Sequence, residues 1–221
     1  ASAQGGVVQL ANAASSGDND ETYMQGSRSY VLATADEDDS FPYHHVARVR
    51  FECRFCLNAV TDNDNMIFIG LAGQALATGA LADNTGALVS TFHGIGCQIL
   101  AADGNAINVV YQENGSALQT PISGALVPVA DKWNRFGFDF NPLASDSERI
   151  TYWLDGVKSS TFTTAANVTA STFPKSTDSV QIPMGATFLH KASDDAIGIL
   201  RMSGYRVWSE PLISRGNEAC G

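Results

Sequence analysis

The sequence predicts an all-β protein built as an antiparallel β-sandwich, and two closely spaced segments carry most of that expectation. In Trp133–Phe140, residues Asn134, Phe136, Phe138 and Phe140 share one side of a period-2 ribbon, with Trp133, Arg135, Gly137 and Asp139 on the other. In Ile150–Leu154, residues Ile150, Tyr152 and Leu154 alternate with Thr151 and Trp153. Asp155-Gly156 then supplies the two positive-φ positions of a type I′ hairpin, and a new strand leaves at Val157.

In chain order, residues 1–40 are small, polar and acidic, with clusters at Asp18-Asn19-Asp20-Glu21 and Asp36-Glu37-Asp38-Asp39. They read as an extended, loosely structured N-terminal arm in which Tyr30–Ala33 forms one edge strand. Residues 41–212 read as the sandwich and 213–221 as a C-terminal tail. Strand-like runs recur at Val46–Leu57, Met66–Ala72, Leu88–His93, Cys97–Ala101, Ile107–Tyr111 and Leu126–Val129. They continue at Trp133–Phe140, Ile150–Leu154, Ser159–Thr163, Val180–Phe188 and Ile197–Trp208. Turn chemistry at Asp103-Gly104-Asn105, Asn114-Gly115 and Asn141-Pro142 separates them. No helical stripe stands out, and the Ala-rich piece Gln74–Ala82 is cut short by Gly73, Gly79 and Gly86.

Composition restricts the partners. The 221 residues are 44% hydrophobic and 16% charged, the profile of a folded chain, and 13 basic against 23 acidic residues give a net charge of −10. Such a surface repels phosphate backbones and anionic lipid, so neither nucleic acid nor membrane is expected as a partner. No basic patch is evident along the chain. No apolar run reaches the ~18–20 residues of a membrane span.

The four cysteines, Cys53, Cys56, Cys97 and Cys220, are too sparse for a disulfide scaffold. Cys53-Arg54-Phe55-Cys56 has the spacing of a zinc knuckle or redox pair, but it lies on a strand whose alternation turns the two thiols to opposite faces. Buried thiols are the preferred reading, and reduced cysteines suit assembly in a cytoplasm. Asp62-Asn63-Asp64-Asn65 offers clustered oxygens, so Asp62 and Asp64 are candidate calcium ligands. The stretch lacks the Gly and later Glu of a complete calcium loop, and a hairpin turn is the safer reading.

The Trp-led strand of alternating aromatics, the Tyr152-Trp153-Leu154-Asp155-Gly156-Val157 hairpin and the closing run Ile199–Trp208 together resemble the concanavalin A-like (laminin G-like) jelly roll, over roughly residues 128–210. Met66–Ala72 followed by Gly94-Ile95-Gly96 and Asp103-Gly104 is similar to small jelly-roll virion proteins of tailed phages that decorate or cement capsids. That resemblance implies a non-catalytic structural protein of the virion, on the capsid surface and assembled in the host cytoplasm. Its partners would be the major capsid protein and copies of itself, as a homo-oligomer with a trimer favoured. The jelly-roll resemblance also admits a non-catalytic carbohydrate-binding module, with surface glycans as partners, and, less readily, a polysaccharide hydrolase or lyase.

Catalysis lacks a sequence signal. Hydrolases of this fold carry a Glu-x-Asp-x-x-Glu strand, and none of the seven glutamates here sits in that pattern. Glu52 alone is central to a strand, among Arg48, Arg50 and Arg54, where neutralisation in a charged ladder explains it. The enzyme expectation is therefore negative. As binding residues the sequence nominates Arg48, Arg50 and Arg54, an outer ladder for acidic partners, and Trp153, whose face Ile150, Tyr152 and Leu154 cannot share. Trp133, Trp208, Tyr111 and Tyr152 qualify by type, with strand packing as their preferred role.

Overall fold

The structure is a computed structural model and describes residues 6–12, 21–33, 47–60, 65–73, 79–82, 85–101, 106–175, 183–192 and 197–211. Among these the chain forms β1 (Val8–Ala11), β2 (Glu21–Gln25), β3 (Ala47–Leu57), β4 (Met66–Gly73), β5 (Gly94–Ile99) and β6 (Ile107–Gln112). There follow β7 (Gln119–Leu126), β8 (Trp133–Phe140), β9 (Ile150–Leu154), β10 (Val157–Thr163), a short helix α1 (Ala165–Thr169), β11 (Met184–Lys191) and β12 (Ile199–Pro211). Two six-stranded sheets result, ordered β1-β12-β3-β8-β9-β10 and β2-β11-β4-β5-β6-β7, with every pairing antiparallel.

Alternation builds the core. Val49, Phe51, Cys53 and Phe55 of β3 face inward with Phe136, Phe138 and Phe140 of β8. They meet Ile67, Ile69 and Leu71 of β4 and Phe188 of β11, with the Phe51 and Phe188 rings 6.3 Å apart between the sheets. Each fully buried Phe or Ile contributes about 1.5–3 kcal/mol, which ties strand register to burial. The hairpin takes its expected form: φ is 49° at Asp155 and 82° at Gly156, with Val157 opposite Leu154. Tyr111 and Tyr152 belong to the interior. Tyr152 is fully buried and its hydroxyl lies 2.6 Å from Thr163 Oγ1.

The N-terminal stretch differs from expectation. In its described parts it is not an arm: β1 pairs with β12, and β2 pairs with β11, one at the edge of each sheet. Each is four or five residues long with little apolar alternation, so the sequence hides it, and the backbones of β12 and β11 supply the partner. Tyr30 makes only a lone bridge to Met184.

Other departures are local. The run expected at Leu88–His93 is a turn with one bridge between Leu81 and Leu88, and the strand starts later, at Gly94. The strand expected at Leu126–Val129 instead covers Gln119–Leu126. Its Pro121 hides it in sequence and is tolerated because β7 lies at a sheet edge. Helix α1 is too short for a periodic signal and rests on a reciprocal cap between Thr164 and Asn167. Asp62, Asp64 and the tail from 212 onward lie outside the described residues.

The two outer faces differ, and that difference locates the site. Over the second sheet, Ala80, Leu81, Leu88 and Phe92 fold down onto Phe68, Val110 and Leu189 as a small second core. The Phe68 and Phe92 rings meet edge-on at 4.8 Å. Over the first sheet the central strands β3, β8 and β9 instead line a cleft.

Candidate functional site

Strand pairing turns residues far apart in sequence into transverse rows on the outer face of the first sheet. One row runs Trp208, Arg50, Asp139, Thr151 across β12, β3, β8 and β9. The next runs Arg206, Glu52, Gly137, Trp153, Lys158 and reaches β10. Between them lies a groove of about 540 Å³, within the range of small-ligand sites. Trp153 and Trp208 both line it. They stand three strand spacings apart, a span of about 14–15 Å. Trp208 is 38% exposed and Trp153 half-buried, so both keep accessible ring surface.

The floor is polar and mostly neutralised in pairs. Asp139 is buried and receives two guanidinium groups. Arg48 Nε donates to Oδ1 at 2.8 Å and its Nη2 to Oδ2, while Arg50 Nε donates to Oδ2 at 3.1 Å. The hydrogen bond to Asp139 pushes the Arg48 pKa further up. At the opposite wall Lys158 Nζ lies 3.3 Å from Glu148 Oε2 and 5.0 Å from the centre of the Phe162 ring. The Arg50 guanidinium stands 5.8 Å from the Trp208 ring, bracing that indole from inside the groove. Among the described residues, Arg135 and Glu52 line the groove with no ion pair.

Of the residues nominated from sequence, Trp153, Arg48 and Arg50 are brought together here. Arg54 lies outside the groove, its guanidinium 4.9 Å from the Trp133 ring. Two readings are corrected. The acid that neutralises the arginine ladder is Asp139 on the neighbouring strand, while Glu52 stays exposed and unpaired. Basic side chains scattered along the chain do cluster, because pairing of β3 with β8 and β12 gathers Arg48, Arg50, Arg54, Arg135 and Arg206 onto one face, beside Asp139, Glu52 and Glu210. Sequence reasoning assigned Trp208 a packing role and passed over Asp139. The alternation that sets Asp139 opposite the Phe136, Phe138 and Phe140 face was visible, but its partners on β3 lie some 90 residues away.

The thiols stand apart from this chemistry. Cys53 and Cys97 are in the core and Cys56 is buried on the other face of β3, all three free. Burial pushes each thiol pKa up, away from the thiolate that redox or metal chemistry needs. Among the described residues no group of three or more His, Cys, Asp or Glu is placed to hold a metal ion. No described helix is long and apolar enough to cross a membrane.

Comparison with known proteins fixes the fold. The chain is similar to the carbohydrate recognition domain of Emp46p in its potassium-bound form, with a TM-score of 0.58 at 9% identity over 93% of this chain and 88% of that one. It is similar to a seed lectin of Lotus tetragonolobus, with a TM-score of 0.57 at 11% identity over 92% and 87% of the two chains. An endo-β-1,4-glucuronan lyase from the fungus Trichoderma reesei matches with a TM-score of 0.55 at 10% identity, over 91% and 80%. The fold is a concanavalin A-like jelly roll. No protein-family model and no curated protein sequence matches the chain. Lectins and glycan-cleaving enzymes thus share this jelly roll at identities that speak for the fold alone, and function rests on the groove.

Proposed function

We propose that the protein is a non-catalytic carbohydrate-binding module that holds a glycan across the outer face of its first sheet. The observation that carries this reading is the pair of accessible indoles, Trp153 and Trp208, flanking a floor of hydrogen-bonding side chains. Pyranose rings present apolar C–H faces and a rim of hydroxyls. Indole surface suits the first and fixed polar groups suit the second. Arg50, Glu52 and Thr151 provide donors and acceptors already oriented by the sheet. The lectin domains among the structural neighbours agree with this reading.

Binding is favoured over catalysis by the state of the acids. Hydrolysis of a glycosidic bond needs two available carboxyl groups. Asp139 is held by two arginines and Glu148 by Lys158, which leaves Glu52 alone among the described acids lining the groove. Among the described residues, no His or Tyr lines the groove to serve as the proton carrier of a lyase. The capsid-cementing role expected from sequence has less support, because the described parts of the N-terminal stretch expected as an extended arm are already paired as β1 and β2.

A glycan array followed by calorimetry tests the proposal. Trp153→Ala and Trp208→Ala should each weaken binding roughly three- to tenfold with unfolding temperature unchanged. The same glycans should release no reducing ends or unsaturated products. Undiminished binding in both variants would remove the groove from consideration.

A further inference from the structure

We propose that the glycan is acidic, and that its charged groups are read by the arginines this chain leaves without a carboxylate. The inference rests on the carbohydrate-binding reading above and narrows its ligand. With nearly two acids for every base, cations on this chain have partners in plenty. Arg48 and Arg50 take Asp139, Arg149 takes Asp146 and Arg201 takes Asp131. The described arginines with no ion pair are Arg28, Arg54, Arg135 and Arg206. They are not scattered over the surface; they stand on or beside the face that carries the groove.

Two of them oppose each other. Arg54 on β3 is directly across from Arg135 on β8, an arrangement of like charges that destabilises a sheet unless an anion intervenes. Arg54 leans on Trp133, and Arg135 faces the groove with its guanidinium unbonded. The other two border a second cleft of about 590 Å³, lined by Arg28, Arg206, Tyr30 and Tyr205, with no Asp or Glu among its described lining residues. Tyr30 is fixed there by donating its hydroxyl hydrogen to Val207 O at 3.2 Å, and the Tyr205 ring packs 5.1 Å from Phe188.

Trp208 belongs to both clefts, so the stacking groove continues over it into the arginine-lined one. A chain laid on Trp153 and Trp208 therefore meets Arg135 along its length and Arg28 and Arg206 beyond the second indole. Guanidinium groups with free donors match the planar oxygens of a carboxylate or the oxygens of a sulfate ester. Glu52 and Glu210, the acids on this face with no ion pair among the described residues, offset part of that charge, and Asp139 is already occupied. The occupant this pattern fits is a glycan bearing carboxylates or sulfates at intervals.

The test is calorimetry of the full chain with three oligosaccharides of matched length, a polyuronate, a sulfated glycan and an uncharged glucan, at low and high salt. One or both acidic chains should bind roughly tenfold more tightly than the neutral one at low salt, and the advantage should shrink at high salt. The double variant Arg28→Ala with Arg206→Ala, and separately Arg135→Ala, should each reduce the ratio of acidic to neutral affinity with unfolding temperature unchanged. Preference for the polyuronate identifies the carboxylate as the anion read, and preference for the sulfated chain identifies the sulfate ester. Equal affinity for all three, or variants that keep the full preference, would overturn the acidic-ligand inference while leaving the carbohydrate-binding reading intact. Absence of binding to any glycan would overturn both.

Discussion

Gly137 of β8 lies directly opposite Trp153 of β9, and the missing side chain opens the floor of the groove beneath that indole. A Cβ at Gly137 would lie 2.9 Å from Phe51 O, a backbone atom that cannot step aside. Gly137→Ala should therefore destabilise the fold by about 1–3 kcal/mol and reduce glycan affinity together. Urea unfolding and calorimetry on the same variant check both effects. A stable variant with unchanged affinity would show that this floor is not used.

Asp139 is the electrostatic keystone of the same face. Replacing it with Asn keeps the shape but leaves Arg48 and Arg50 without their anion. Because both guanidinium groups are about one-third exposed, with side-chain accessibilities of 30% and 32%, water recovers part of the loss. The expected cost is about 1.5–3 kcal/mol by urea unfolding. A double-mutant cycle with Arg50→Ala should recover part of that cost as coupling between the two residues.

Buried His93 and half-buried Glu113 bring opposing pH dependences to stability. His93 Nδ1 lies 3.0 Å from Glu113 Oε2. Burial lowers the His93 pKa to about 4 and raises that of Glu113 to about 7, so both are neutral at mildly acidic pH. The folded state then binds fewer protons at His93 between pH 4 and 6.5 and more at Glu113 between pH 4.5 and 7. The first term raises stability with increasing pH and the second lowers it, so they largely cancel. Glu113→Gln should unmask the histidine, and stability should then rise with pH from 4 to 6.5 more steeply than in the parent, by at most about 1.4 kcal/mol per pH unit. His190, also lowered to about 4 by burial, adds a slope of the same sign in both proteins. Unfolding curves across that range read the difference, and identical slopes would show that burial does not raise Glu113.

Tyr152 tests the core. Tyr152→Phe keeps the ring but strands Thr163 Oγ1, which is buried with it. The expected loss is about 1–3 kcal/mol with no change in glycan binding, because the hydroxyl faces the interior. Loss of binding in this variant would place the ligand elsewhere than the outer face.

Much of this architecture is legible from neighbouring residues. Strands β8 and β9 and the Asp155-Gly156 turn follow from alternation and from a turn that two positive-φ residues demand. Trp153 declares itself because its sequence neighbours turn the other way. Strands β1, β2 and β7 do not, since edge segments bury little and their pairing comes from the strand alongside. The pairing of Arg50 with Asp139 is invisible for the same reason, because the two residues meet only when β3 and β8 align.

The sequence by itself determined that this protein is a two-layer β structure with a Phe-rich interior, because side-chain period and turn chemistry are local properties of the chain. Only the tertiary structure decided which face is open, that Trp208 joins Trp153, and that an acidic chain gathers its unpaired arginines there. Those outcomes depend on register between strands far apart in sequence, and register is set by the burial of the whole core rather than by any one segment.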